Sequence, residues 1–163
     1  MRRVDEAVAA APAGVCFEIA SDVEGWPEIL PHYRWVRFRK RHGPGRGLVE
    51  MAAWRPFRLL RWPLFRWPTW WVSEMESNAS DRTVRYRHIE GITEGMDVLW
   101  EIRAEGNGHT RLRIVHDWEG PRWPPVGGLV ADMVIGPGFV SHIARRTLAG
   151  VVREAEARAG VVR

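Results

Sequence analysis

The chain has a single cysteine, Cys16, among 163 residues. That excludes an internal disulfide and any cysteine-based metal cluster. Cys16 falls in the apolar stretch Val15-Cys16-Phe17 and reads as a small buried side chain. Lysine is equally scarce: of 24 cationic residues only Lys40 is a lysine, and the rest are arginine. Such a bias suits a GC-rich genome, so part of the arginine excess reflects codon usage. A net charge of +4 is too modest to argue for nucleic-acid binding. No apolar run approaches the roughly 20 residues of a membrane-spanning helix. Met1-Arg2-Arg3-Val4-Asp5-Glu6 lacks the hydrophobic stretch of a signal peptide, so the expected location is the cytoplasm. A phosphate-cradling glycine loop, a nucleophile elbow and a redox motif are all missing, and no cofactor is expected. His88 and His116 could in principle share a metal. Histidines scattered singly, with no carboxylate at ligand spacing, argue against it.

Tryptophan, by contrast, is abundant: there are ten. Trp54, Trp70, Trp71, Trp100, Trp118 and Trp123 fall where strands or strand ends are expected. A small core does not need that much indole, and each buried indole N–H needs a partner. A strand-borne set suits a chain that encloses a cavity and lines it with flat, rigid walls for an aromatic or polyketone-like ligand. The alternative is a tryptophan-heavy packed core. With 45% apolar and 27% charged residues, the chain reads as one globular domain over 1–163.

The order of elements follows from periodicity. A strand is expected at 3–9, where Val4, Glu6 and Val8 alternate with Arg3, Asp5 and Ala7. Ala11-Pro12-Ala13 opens a helix, with proline suited to its start, and 23–30 reads as a second short helix or turn ended by Pro31. Period-two segments follow at 33–41, 48–55, 70–77, 83–89, 96–105 and 110–119. Short turns join them, including the hairpin signal Gly106-Asn107-Gly108. Six consecutive strands with short connections imply an antiparallel meander. The segment 56–68 is too proline-rich for a regular strand and reads as an elongated loop. It serves either as a lid over the mouth or as a patch touching lipid. Pro121-Arg122-Trp123-Pro124-Pro125 reads as a rigid linker. Leu129, Val130, Met133 and Val134 sit at helix spacing, Gly136-Pro137-Gly138 breaks or kinks the pattern, and a helix of about 30 Å runs over 139–158.

Alternation assigns the faces. In the last strand Leu112, Ile114, His116 and Trp118 point inward, and Asp117 points away. Met96, Val98, Trp100 and Ile102 point inward from the strand before it. Val84, Tyr86 and His88 oppose Arg85 and Arg87. A neutral His116 imidazole on an apolar wall is a candidate general acid/base; the other reading is a core histidine bonded to a backbone carbonyl. Tyr86 and His88 form a second candidate set, and Tyr33 can supply a phenol at the mouth. Arg34, Arg37, Arg39, Lys40 and Arg41 crowd around Trp35, Val36 and Phe38. They form either a solvated strand face or a docking surface for an acidic partner such as an acyl carrier protein.

This order of strand, two short helices, meander and long final helix resembles the helix-grip fold of the START/Bet v 1-like superfamily. Ala11-Pro12-Ala13 with Phe17, and Asp22-Val23-Glu24-Gly25-Trp26-Pro27-Glu28, resemble the opening of polyketide aromatase/cyclases and related dehydrases. So do Trp71-Val72-Ser73, Arg82-Thr83-Val84, Trp100 and Val115-His116-Asp117-Trp118. The similarity covers about Arg3 to Arg158. It implies an α+β fold in which a curved antiparallel seven-stranded sheet wraps a long C-terminal helix. It also implies that Trp71, Ser73 and Met75 point inward. Met75 stands where the bacterial cyclases carry an arginine, and Thr147, with His142 close by, stands nearest to a carboxylate that some relatives use. The orienting cation and acid partner are thus absent from those positions.

Two functions follow as expectations. One is a cofactor-independent cyclase/dehydrase acting on a carrier-tethered polyketide or acyl chain. In it His116, Tyr86 and His88 are catalytic, and Trp26, Tyr33, Trp71, Ser73, Met75, Trp100, Trp118, Ile143 and Thr147 hold the substrate. The other is a non-catalytic carrier for a quinone or lipid. Either would act as a monomer or homodimer, without nucleic acid and without an integral membrane segment.

Overall fold

Seven strands form one antiparallel sheet in the order β1-β7-β6-β5-β4-β3-β2. The computed structural model describes residues 2–59, 62–119 and 137–161, with the side chains of 55–67 and 137–139 outside the description. Strand β1 (Arg2–Ala9) leads into helix α1 (Ala13–Ser21), a single 3-10 turn (Val23–Gly25) and the short helix α2 (Trp26–Ile29). Pro12 caps α1 in extended conformation. The meander follows as β2 (Tyr33–Gly43), β3 (Arg46–Leu59), β4 (Trp62–Asn78), β5 (Thr83–Gly91), β6 (Asp97–Gly106) and β7 (His109–Asp117). Helix α3 (Pro137–Arg158) closes the chain and packs chiefly against β1 and α1. This is the expected helix-grip arrangement. The expected linker at 121–125, Leu129, Val130, Met133, Val134 and Gly136 lie outside the described residues, whereas Pro137 and Gly138 of the expected break open the final helix.

One expectation is corrected. The segment 56–68 does not leave the sheet. Pairing continues from Trp54↔Pro68 through Pro56↔Arg66 to Leu59↔Trp62. Strand β2 stops pairing with β3 at Tyr33↔Ala53, and β5 stops pairing with β4 at Trp71↔Gly91. Beyond those points, among the described residues, β3 and β4 form a two-stranded ribbon that pairs with no other strand. Proline is tolerated there because an edge position needs no ladder N–H. The lid and lipid-contact readings rest on side chains outside the description.

The valines of β1 face outward, with Val4 43% and Val8 40% exposed, while Asp5 and Ala9 are buried. The reason is the close approach of α3, which favours small side chains on the covered face and an ion pair where the helix edge meets the strand. Arg145 Nε of α3 donates to Asp5 Oδ1 at 3.0 Å.

Candidate functional site

A cavity lies between the sheet and α3. It offers about 70 Å³ to the centres of water-sized spheres. Since one water needs roughly 10–15 Å³ by this measure, the space matches about one aromatic ring. Trp26 of α2, Tyr33 of β2, Trp71 of β4 and Trp100 of β6 line it, with Met51, Met96 and Ile114. From α3 come Val140, Ile143, Ala144 and Thr147. The rings touch in series: Trp100 lies 5.8 Å from Trp26, Trp26 5.2 Å from Tyr33, and Tyr33 6.3 Å from Trp71. Trp71 stacks on His88 at 5.9 Å with 13° between planes. Trp26 is fixed by its indole N–H, which donates to the Ile19 carbonyl at 3.0 Å.

Tyr86, His88 and His116 all reach this cavity. A register shift in the β4–β5 ladder, between Val72 and Ser73, sets His88. Trp71 pairs with Gly91, whereas Ser73 pairs with His88, so one extra β5 residue bends that strand. Gly91 has φ +97°, and a Cβ there would lie 2.5 Å from the Trp70 carbonyl oxygen; only glycine fits. The turn that follows carries Thr93, whose hydroxyl lies 2.5 Å from His88 Nδ1. That nitrogen is therefore committed, and Nε2 is the one left for a ligand.

Burial dictates the charge states. It pushes His88 down to about 3 and His116 to about 4. Desolvation disfavours imidazolium in both; His116 also presses on His88, whereas Asp5 pulls His116 back up. Burial raises Tyr33 to about 12 and Tyr86 well above the usual phenol value, with Tyr33 adding to the latter. Near neutral pH the cavity thus presents neutral imidazoles, which accept protons, and neutral phenols, which donate hydrogen bonds. Among the described residues, its lining has no arginine, lysine or carboxylate.

Of the expected ligand-holding residues, Trp26, Tyr33, Trp71, Trp100, Ile143 and Thr147 line the cavity. Ser73, Met75 and Trp118 are buried but stand outside its lining. Ser73 lies opposite His88 and Met75 opposite Tyr86, and those two rings take the wall. Trp118 follows β7, and its indole N–H holds the Glu94 carbonyl at 3.0 Å, bracing the 91–95 turn instead.

Two polar groups beside the site were not expected. His32 is buried, with Nε2 3.0 Å from Thr147 Oγ1, which in turn lies 3.5 Å from the Tyr33 hydroxyl. Burial first, then Arg146 and His142, hold His32 down at about 4. Its place between Pro31 and Tyr33 gave no periodic signal. Asp5 is the other; it is buried, and the alternation in its strand carried no signal of that.

A model of the polyketide cyclase / dehydrase and lipid transport family matches residues 9–136. The chain belongs to this family. It is 29% identical over 116 residues to a Streptomyces cyaneus protein and 31% identical over 106 residues to one from Streptomyces halstedii, each named "Putative polyketide cyclase". The first match covers 70% of both chains; the second covers 64% of this chain and 89% of the other. The fold is similar to that of the Zhui aromatase/cyclase from Streptomyces sp. R1128, with TM-score 0.81 and 21% identity over 98% of this chain and 95% of that one. Among the described residues no helix is long and apolar enough to cross a membrane.

Proposed function

We propose that the chain is a cofactor-independent cyclase/dehydrase for a polyketide or acyl chain presented on a carrier protein. The observation that carries this reading is the convergence of Tyr86, His88 and His116, all held neutral, in one indole-walled cavity. In this mechanism a neutral imidazole removes a proton α to a substrate carbonyl. The Tyr86 phenol donates to that carbonyl oxygen as it gains enolate charge. The enolate carbon then bonds a second carbonyl carbon of the same chain, and the imidazolium returns its proton to the new alkoxide. Dehydration repeats the cycle: the α-proton goes to imidazole, and the β-hydroxyl leaves as water after taking a proton back. Trp26, Trp71 and Trp100 hold the reacting atoms together, so that geometry supplies much of the rate. A ring-sized cavity holds the reacting segment, and the flexible Met51 and Met96 side chains make room for the remainder.

A second reading, a carrier of a hydrophobic molecule, is favoured by the uncharged lining. His116→Ala separates the two. Lost product formation with retained ligand affinity supports the enzyme. Unchanged product formation removes His116 from the chemistry, and an absence of turnover in the unaltered protein with tight ligand binding supports the carrier.

A further inference from the structure

Two buried polar atoms with no hydrogen-bond partner among the described residues lie on neighbouring strands. One is His116 Nδ1 on β7 and the other is Asp5 Oδ2 on β1. In the β1–β7 ladder Arg3 stands opposite His116 and Asp5 opposite Ile114. Asp5 and His116 are thus diagonal neighbours, and both are buried. Diagonal Cα atoms in such a ladder are about 7–8 Å apart, a span that a carboxylate and an imidazole bridge together. The two atoms are chemically complementary: Nδ1–H donates and the carboxylate oxygen accepts. Leaving both unpaired in the interior is costly. The other oxygen, Oδ1, accepts from Arg145 Nε of α3.

We propose that Asp5 is the acid partner of His116, holding its proton on Nδ1 and presenting Nε2 to the cavity as the proton acceptor. This rests on the reading of His116 as the base. Asp5 is a positioning residue and touches no substrate. It stabilises the imidazolium that forms when Nε2 takes a proton, which matters because burial alone makes His116 a poor base. The acid thus comes from the first strand, while the final helix places Thr147 at the cavity wall. The other titratable groups around His116 are Arg3, its ladder partner on β1, Tyr86 and His88 from β5 and, through Asp5, Arg145 from α3. Its β6 neighbour, Val98, is apolar.

The test is imidazole NMR on the full chain without substrate, so it stands whether or not the protein turns anything over. Near neutral pH, His116 is expected as the Nδ1–H tautomer. Asp5→Ala should return it to the Nε2–H form that free histidine favours. Asp5→Asn should lower its titration by roughly one and a half pH units, the Coulomb effect of a charge about 7–8 Å away at an effective dielectric near 20. Arg145→Gln, at an exposed side chain, should move it in the opposite direction. A merely structural Asp5 would give shifts of the same sign in both variants. An Nε2–H tautomer in the unaltered protein, or an unmoved titration in Asp5→Asn, overturns the pairing. If Asp5→Asn does not fold, the unaltered tautomer and Arg145→Gln decide.

Discussion

At the residue scale the dominant fact is that three histidines are buried uncharged. His32 and His116 sit near 4 and His88 near 3, against an ordinary 6.5. Between those values the unfolded chain binds protons that the folded chain refuses. Stability is therefore whole above about 6.5 and falls as pH drops, levelling off only below the folded values. Each histidine contributes at most about 1.4 kcal/mol per pH unit in its window. Denaturant midpoints at pH 7 and pH 5 are expected to differ clearly, and His88→Gln should narrow the gap; equal midpoints would mean these rings charge freely in the folded state. Thr93 carries a second prediction. Thr93→Val keeps the shape but leaves His88 Nδ1 unpaired, with an expected loss of about 1–3 kcal/mol. A chevron or equilibrium denaturation series reads it directly, and an unchanged midpoint would show that the nitrogen found another partner. His116 was legible because alternation placed it on the wall. Asp5 and His32 were not, since a polar residue's burial depends on what packs over it.

At the scale of elements, α3 is seated against α2 through a single glycine. A Cβ at Gly150 would fall 2.1 Å from Leu30 Cδ2, and Leu30 is itself buried. Alanine in a helix interior is otherwise better than glycine by roughly 1 kcal/mol. Here overpacking of about 1–3 kcal/mol outweighs that gain. Gly150→Ala should lower the melting temperature in calorimetry and loosen Trp26, one turn before Leu30; a raised melting temperature would show that Leu30 rotates away at little cost. The meander, the hairpin at 106–108 and the final helix were readable from period and turn chemistry. The ribbon at 54–68 was not, because proline statistics describe central strands and, among the described residues, this ribbon pairs with no third strand.

At the scale of the whole molecule, the arginine-rich face of β2 is stitched together rather than bare. Arg37 and Arg39 both hold Glu50 at 2.9 Å, Arg39 also reaches Glu90 at 3.0 Å, and Arg41 pairs with Glu24. Arg34 and Arg37 lie over Trp54 and Trp35, and Trp70 nearby is 46% exposed. These contacts favour a solvated, self-neutralised face. If an acidic carrier protein docks there, Arg39→Glu should weaken binding in titrations at low salt and less so at high salt. Equal affinity for variant and parent at both ionic strengths would place the carrier elsewhere.

The sequence by itself determined the strand count, the antiparallel meander, the closing helix and the inward column of Tyr86, His88, Trp100 and His116. These depend on local periods of two and 3.6, which each segment carries alone. Tertiary structure decided which face of β1 is covered, how far β3 and β4 run, and which buried groups meet at the cavity. Those outcomes depend on the distance between elements far apart in the chain: α3 over Asp5, Leu30 against Gly150, Thr147 beside His32. No local pattern encodes such a distance.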